Sequence, residues 1–209
     1  VQLITDTAKT KALKGVRAAA SLTLSSGGSS KGEILFTDYG ISGIAAMDLS
    51  RFVKAEADAQ ISLDFACDYS LNKLETAIIK IAKHNPSLPI DNLLSGFVPK
   101  ALSAAITKAA LGYLPKSAAE IGEKQAKRIA EEMKSFTVAL KGTKSFSDAQ
   151  VTKGGADVSQ FNEETLESKK CHGLYACGEI LDVDGACGGF NLAWAFASGR
   201  AARKNAAIS

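Results

Sequence analysis

The chain has 209 residues, 46% hydrophobic and 22% charged, which is ordinary globular composition with enough apolar material for one large domain or two to three small ones. Its 25 Lys and Arg against 22 Asp and Glu leave a formal net charge of +3, interspersed without a basic block, and this argues against nucleic acid as a partner. No run approaches about 18 consecutive apolar residues and no signal-peptide plan opens the chain, so the sequence reads as a cytoplasmic protein with no membrane partner.

Val1 stands where an initiator Met is absent and opens in what reads as a loop, as expected of a piece of a longer protein. Between Ala12 and Leu24, Val16, Ala18, Ala20, Leu22 and Leu24 alternate with Arg17, Ala19, Ser21 and Thr23, the period of a half-buried strand. Extended structure resumes at Glu33–Phe36 and runs into a bend at Thr37–Gly43. Ile61, Leu63 and Phe65 alternate again, so the N-terminal third reads as antiparallel strands in a small barrel or sandwich.

Near Ser70 the apolar period changes from two to 3.6. Leu71, Leu74, Ile78 and Ile81 mark a helix that stops before Asn85-Pro86. A second helical region spans about Asp91 to Ala110 and is broken or kinked at Pro99. Ser117 followed by Glu120 has capping-box spacing and starts a third helix carrying Ile121, Ile129 and Met133. Phe136–Leu140 returns to strand, Val158–Phe161 reads as a short strand, and Thr165–Ser168 reads as a turn.

The stretch from Gly173 to Arg203 is the most informative. Gly173–Cys177 reads as a buried parallel strand, followed by an acidic, glycine-rich loop through Asp182, Asp184, Gly185, Gly188 and Gly189. A helix follows with Asn191 as its expected cap, and its start offers unpaired N–H groups to a ligand. The four cysteines, Cys67, Cys171, Cys177 and Cys187, have no metal-ligand spacing. They read as free thiols, with a redox-active Cys177/Cys187 pair as the competing reading.

LFTDYGISG at 35–43, AQVTKGGA at 149–156, TLESK at 165–169 and GLYACGEILDVDGACGGFNLAWAFASGRAA from Gly173 together resemble the HI0933-like flavoprotein family, whose members are also called aminoacetone-oxidase-like or NAD(P)/FAD-dependent oxidoreductases. The resemblance implies an α+β chain: a β-barrel-like insert at 1–69 completed by 136–148, a helical subdomain at 70–135, and at 149–209 the strand–loop–helix portion of a split Rossmann-type FAD domain. The GxGxxG segment that holds the ADP part of FAD in such a family does not occur in the sequence. The expectation is therefore a C-terminal part of an FAD-dependent oxidoreductase, possessing no activity and no bound FAD by itself, whose parent protein is reduced by NAD(P)H.

By the same resemblance Gly178 and Glu179 contact the ribityl or phosphate side of FAD, and Gly188, Gly189, Phe190, Asn191 and Leu192 form the helix entry facing the flavin. A tight turn before a helix is the plain alternative. Where the family commonly has His and Pro, this chain has Asp38 and Ile44. Asp38 is then either a carboxylate base or the cap of a turn. Trp194 is expected to pack rather than stack on a flavin. The other function class is a non-catalytic interaction module built of barrel and helices, with the glycine loop only a turn. Neither class names a substrate.

Overall fold

Alternation of apolar residues builds a closed barrel. Its strands are β1 (Leu3–Thr5), β2 (Arg17–Leu24), β3 (Ser29–Phe36), β4 (Gly40–Ser42), β5 (Gln60–Asp64) and β6 (Phe136–Thr143). They pair antiparallel in the order β1-β4-β3-β2-β5-β6, and β6 returns to β1, so the barrel has no open edge. Ala18, Ala20, Leu22 and Leu24 of β2 face inward together with Ile34, Phe36, Ile61, Leu63 and Phe136. The rings of Phe36, Phe65 and Phe136 meet at centroid distances of 6.5 and 6.0 Å, tilted and edge-on, as aromatic quadrupoles prefer. The structure is a computed structural model and describes residues 1–54 and 59–207; residues 55–58, inside the expected 1–69 segment, and 208–209, the end of the expected 149–209 segment, lie outside the described residues.

A short helix α1 (Ile44–Ser50) follows β4, and three helices are inserted between β5 and β6. Of these, α2 (Leu71–His84) starts where Ser70 Oγ accepts from Lys73 N, and buries Leu74, Ile78 and Ala82. Next, α3 (Lys100–Leu111) begins immediately after Pro99 and is closed by Gly112 in the left-handed region. The third, α4 (Glu123–Lys134), buries Ala126, Ile129, Ala130 and Met133 against them. These elements form the compact unit Val1–Ser145; Phe146–Ser209 is a second unit, whose long helix is α5 (Phe190–Ala206). No helix among the described residues is long and apolar enough to cross a membrane.

Local chemistry changes several boundaries. The Asp91–Ala110 region is broken at Pro99, as the sequence predicts: a 3-10 turn at Ile90–Asn92 lies before the proline, and α3 starts only after it, because the residue before a proline avoids the helical region. The Ser117–Glu120 spacing does not make a capping box. Ser117 heads a 3-10 turn without a side-chain cap, Glu120 accepts from Lys116 N at 2.8 Å, and α4 starts later, with Gly122 as its N-cap. Val158–Gln160 is a 3-10 turn, held by Asp157 accepting from Ser159 N, rather than a strand. Gly173–Cys177 is not a strand either. A parallel strand needs partners for its N–H and C=O groups, and among the described residues Tyr175 forms only an isolated bridge with Glu167.

Candidate functional site

The glycine loop is tied to its own helix by side chains. Gly178 is buried with φ +73, and both sides of its backbone are taken by α5: its N–H donates to Ser198 Oγ at 2.9 Å, and its carbonyl accepts from Trp194 Nε1 at 3.1 Å. Trp194 and Ser198 are four residues apart and so share one face of the helix. Ser198 is 2% exposed, and its O–H donates to the Trp194 carbonyl at 2.6 Å. Trp194 is thus packing plus a hydrogen-bond clamp.

The far end of the loop is tied by Asn191. Its Oδ1 accepts from Gly185 N at 2.9 Å and its Nδ2 donates to Gly185 O at 3.0 Å, the pattern of a peptide group pairing in both directions. Asn191 is therefore not the cap of α5. That place belongs to Gly189, at φ +96, preceded by Gly188 at φ +122. A Cβ at either glycine would meet nothing within 4 Å, so these positions require glycine for their backbone angles and not for lack of room.

A third tie comes from the preceding segment. Ala156 N donates to Ile180 O at 2.7 Å, Asp182 N donates to Ala156 O at 2.9 Å, and Thr152 N donates to Glu179 Oε1 at 2.6 Å. Gly155 lies so close that a Cβ there would stand 2.6 Å from Ile180 O. The AQVTKGGA stretch is thus a strap over the 178–182 loop.

Between strap, loop and helix start lies a cavity of about 320 Å³. Of the seven residues expected at a cofactor, Glu179, Gly188, Gly189, Asn191 and Leu192 line it. Gly178 lies beneath, clamped by α5, and Phe190 is 65% exposed. Cys187 also lines the cavity as a half-buried cysteine outside any disulfide, whereas Cys177 does not line it. At the start of α5 the N–H groups of Phe190, Asn191 and Leu192 precede the first intrahelical bond, Ala193 N to Gly189 O, and carry the positive end of a 17-residue helix dipole. Such a site favours an anion or an electron-rich edge.

Asp38 lies in the other unit. The turn it occupies is closed by Thr37, whose Oγ1 accepts from Gly40 N, and Asp38 instead meets Lys14 Nζ at 2.9 Å. The Lys14 ammonium, through this hydrogen bond and its charge, holds the exposed Asp38 carboxyl below the ordinary carboxylate range.

Sequence reasoning missed Ser198, Thr152 and Gly155 as supports of the loop. The available signal was the Trp194–Ser198 spacing of four, which puts a donor and a small acceptor over the same turn of helix.

Residues 1–151 match the model of a family described as HI0933-like protein barrel and H2TH domain. Over 182 residues, 84% of this chain and 44% of the relative, the sequence is 31% identical to a 3-dehydro-bile acid delta(4,6)-reductase of Clostridium scindens. Over 187 residues it is 29% identical to a ribosomal RNA dihydrouridine synthase of Escherichia coli (89% of this chain, 45% of the relative). The match to the Haemophilus influenzae protein of that name is 28% over the same length, 90% of this chain and 45% of the relative. The chain spans less than half the length of these curated relatives.

Proposed function

The chain belongs to the HI0933-like family, and from that premise we propose that it is the flavin-completing part of an FAD-dependent oxidoreductase, with 149–209 belonging to a split Rossmann-type domain. The observation that carries this reading is the convergence of Glu179, Gly188, Gly189, Asn191 and Leu192 on one cavity at the start of α5. The fit to a flavin edge is good: the cavity offers the start of a helix whose first N–H groups lie before the intrahelical ladder, an open approach over two glycines, and an apolar wall at Val151 and Leu192. The fit to the ADP half is absent from these residues, since the sequence contains no GxGxxG. A further segment of the parent protein supplies it in this proposal. The same segment covers the apolar surface that Leu174, Ile180, Leu192 and Phe196 leave exposed in the 146–209 unit.

A flavin held at this cavity would supply hydride-transfer chemistry. The names of the relatives, a reductase of a delta(4,6) bile acid and a synthase of dihydrouridine, both describe hydrogen added across a ring C=C bond. We carry that reaction class to this chain as the reduction of a conjugated C=C. In this scheme the N–H groups at the start of α5 would hold an electron-rich edge of the flavin ring and favour negative charge on it. Asn191 acts as a positioning residue, because both of its polar atoms are committed to Gly185. Glu179 keeps Oε1 on Thr152 N and would have Oε2 left to accept from a cofactor hydroxyl.

The test is Gly189→Val in the full-length parent protein. A β-branched residue is strained at φ +96, so the helix start moves away from the flavin. Flavin content read from the absorption spectrum is expected to fall, together with the potential of the flavin that remains. The unaltered 209-residue chain is expected to carry no stoichiometric FAD. Unchanged flavin content and potential in the variant would remove 188–192 from the cofactor site.

A further inference from the structure

A second concave surface lies in the Val1–Ser145 unit, between the outward face of α3 and the segment entering the 3-10 turn Lys11–Leu13. Ala101, Ala104, Ala105 and Ala109 form one wall, and Ala8 and Ala12 belong to the other. These side chains end at Cβ, so the two elements leave a groove of about 560 Å³ where larger residues would have closed the gap. That volume lies within the roughly 300–1,000 Å³ of small-molecule sites, and the lining is mainly apolar, as in such sites.

The polar groups of the groove are all of one sign. Lys9, Lys11 and Lys108 line it, with no carboxylate among the lining residues. Lys9 is committed to Glu132 at 3.4 Å and lies over the Phe136 ring. Lys11 and Lys108 have no ion pair among the described residues, in contrast to Lys14, Lys31, Lys100 and Lys134, which each meet an aspartate. Their flexible four-carbon stems can lie along the alanine walls and bring both ammonium groups to one anionic head.

We propose that this groove binds an amphipathic organic anion, a hydrocarbon body bearing a single carboxylate, with the body on the alanine walls and the head on Lys11 and Lys108. An inorganic anion gains nothing from the walls. A nucleic-acid strand finds no aromatic side chain in the lining on which to stack a base. The groove belongs wholly to the Val1–Ser145 unit, and the proposal does not rest on the flavin reading.

The experiment is calorimetric titration of the 209-residue chain with decanoate, its uncharged analogue decanamide, inorganic phosphate and a short single-stranded RNA. Decanoate is expected to bind once per chain, decanamide at least about tenfold more weakly, and phosphate and RNA not measurably. Lys11→Glu with Lys108→Glu changes only exposed side chains and is expected to weaken decanoate at least about tenfold while leaving decanamide unaltered. Ala101→Trp, also at an exposed position, is expected to block both, with an unchanged melting curve showing that the fold persists. These two variants separate the groove from the apolar surface around Leu192 and Phe196. No decanoate binding, equal affinity for decanamide, decanoate binding indifferent to the variants, or RNA as the bound species would each overturn the proposal.

Discussion

The two units of this chain are held together by different kinds of interaction. The Val1–Ser145 unit closes a six-strand barrel and buries a continuous apolar core that runs from Leu3 through the inserted helices to Leu140. In the Phe146–Ser209 unit the buried apolar cluster is Leu166, Leu181 and Ala202, while Leu174, Ile180, Phe190, Leu192 and Phe196 are exposed. What shapes the second unit is a set of side-chain clamps on backbone groups at Gly178, Gly185 and Thr152. A core defines a fold through non-directional burial that many sequences satisfy, whereas clamps place a few peptide groups accurately with little burial behind them. The first arrangement suits a scaffold and the second suits a loop whose peptide groups must be held in set positions.

The largest effect that can sharpen this contrast belongs to the barrel. Phe136 is fully buried, edge-on to Phe65, on the strand that returns the chain to β1 and β5 after the helices. Phe136→Ala leaves a cavity and is expected to cost about 3–5 kcal/mol. Urea unfolding followed by far-ultraviolet circular dichroism should show the main transition moving to lower denaturant. A loss below 1 kcal/mol would mean that the barrel core is not what holds the unit.

A smaller and local effect is expected at the clamp. Ser198→Ala leaves the buried Gly178 N–H without its acceptor, at a cost of about 1–3 kcal/mol. Because Ser198 belongs to the 146–209 unit, the barrel transition should stay where it is. Amide exchange should accelerate at Gly178 and at Asp182, whose N–H bonds to the strap, and not in β2 or β3. Exchange that rises across the barrel as well would show the two units to be energetically one.

The same contrast decides how much was legible in the sequence. Period-two runs at 16–24, 61–65 and 136–140 were readable because barrel strands bury alternate residues, and Ser70 and Asn85-Pro86 bracket α2 by ordinary capping and breaking rules. Closure by β6 across the inserted helices was not readable in detail, since register between strands that distant depends on tertiary pairing. The glycine loop was recognisable as a candidate site, yet its mechanics were not: Asn191 has the residue type of a cap but is a two-way tie to Gly185, and Ser198 gives no signal of its own. The Gly173–Cys177 run failed as a strand because an apolar composition alone does not provide pairing partners.

The smallest effect concerns the one carboxylate singled out in the barrel unit. Asp38 and Lys14 are both largely exposed, so their ion pair adds little to stability and is weakened by salt. Lys14 depresses the folded-state pKa of Asp38; the stabilisation it gives is present above the unfolded pKa and is lost as pH falls through the depressed folded value. Near neutral pH, then, Asp38 is ionised and paired, and Lys14→Gln should change the melting temperature hardly at all. The same substitution should move the Asp38 titration upward toward the ordinary aspartate value, as read from its side-chain carboxyl carbon by NMR, because the hydrogen bond and charge that lowered it are gone. A titration unmoved by Lys14→Gln would show that the ion pair does not persist in solution, leaving Asp38 free for another partner.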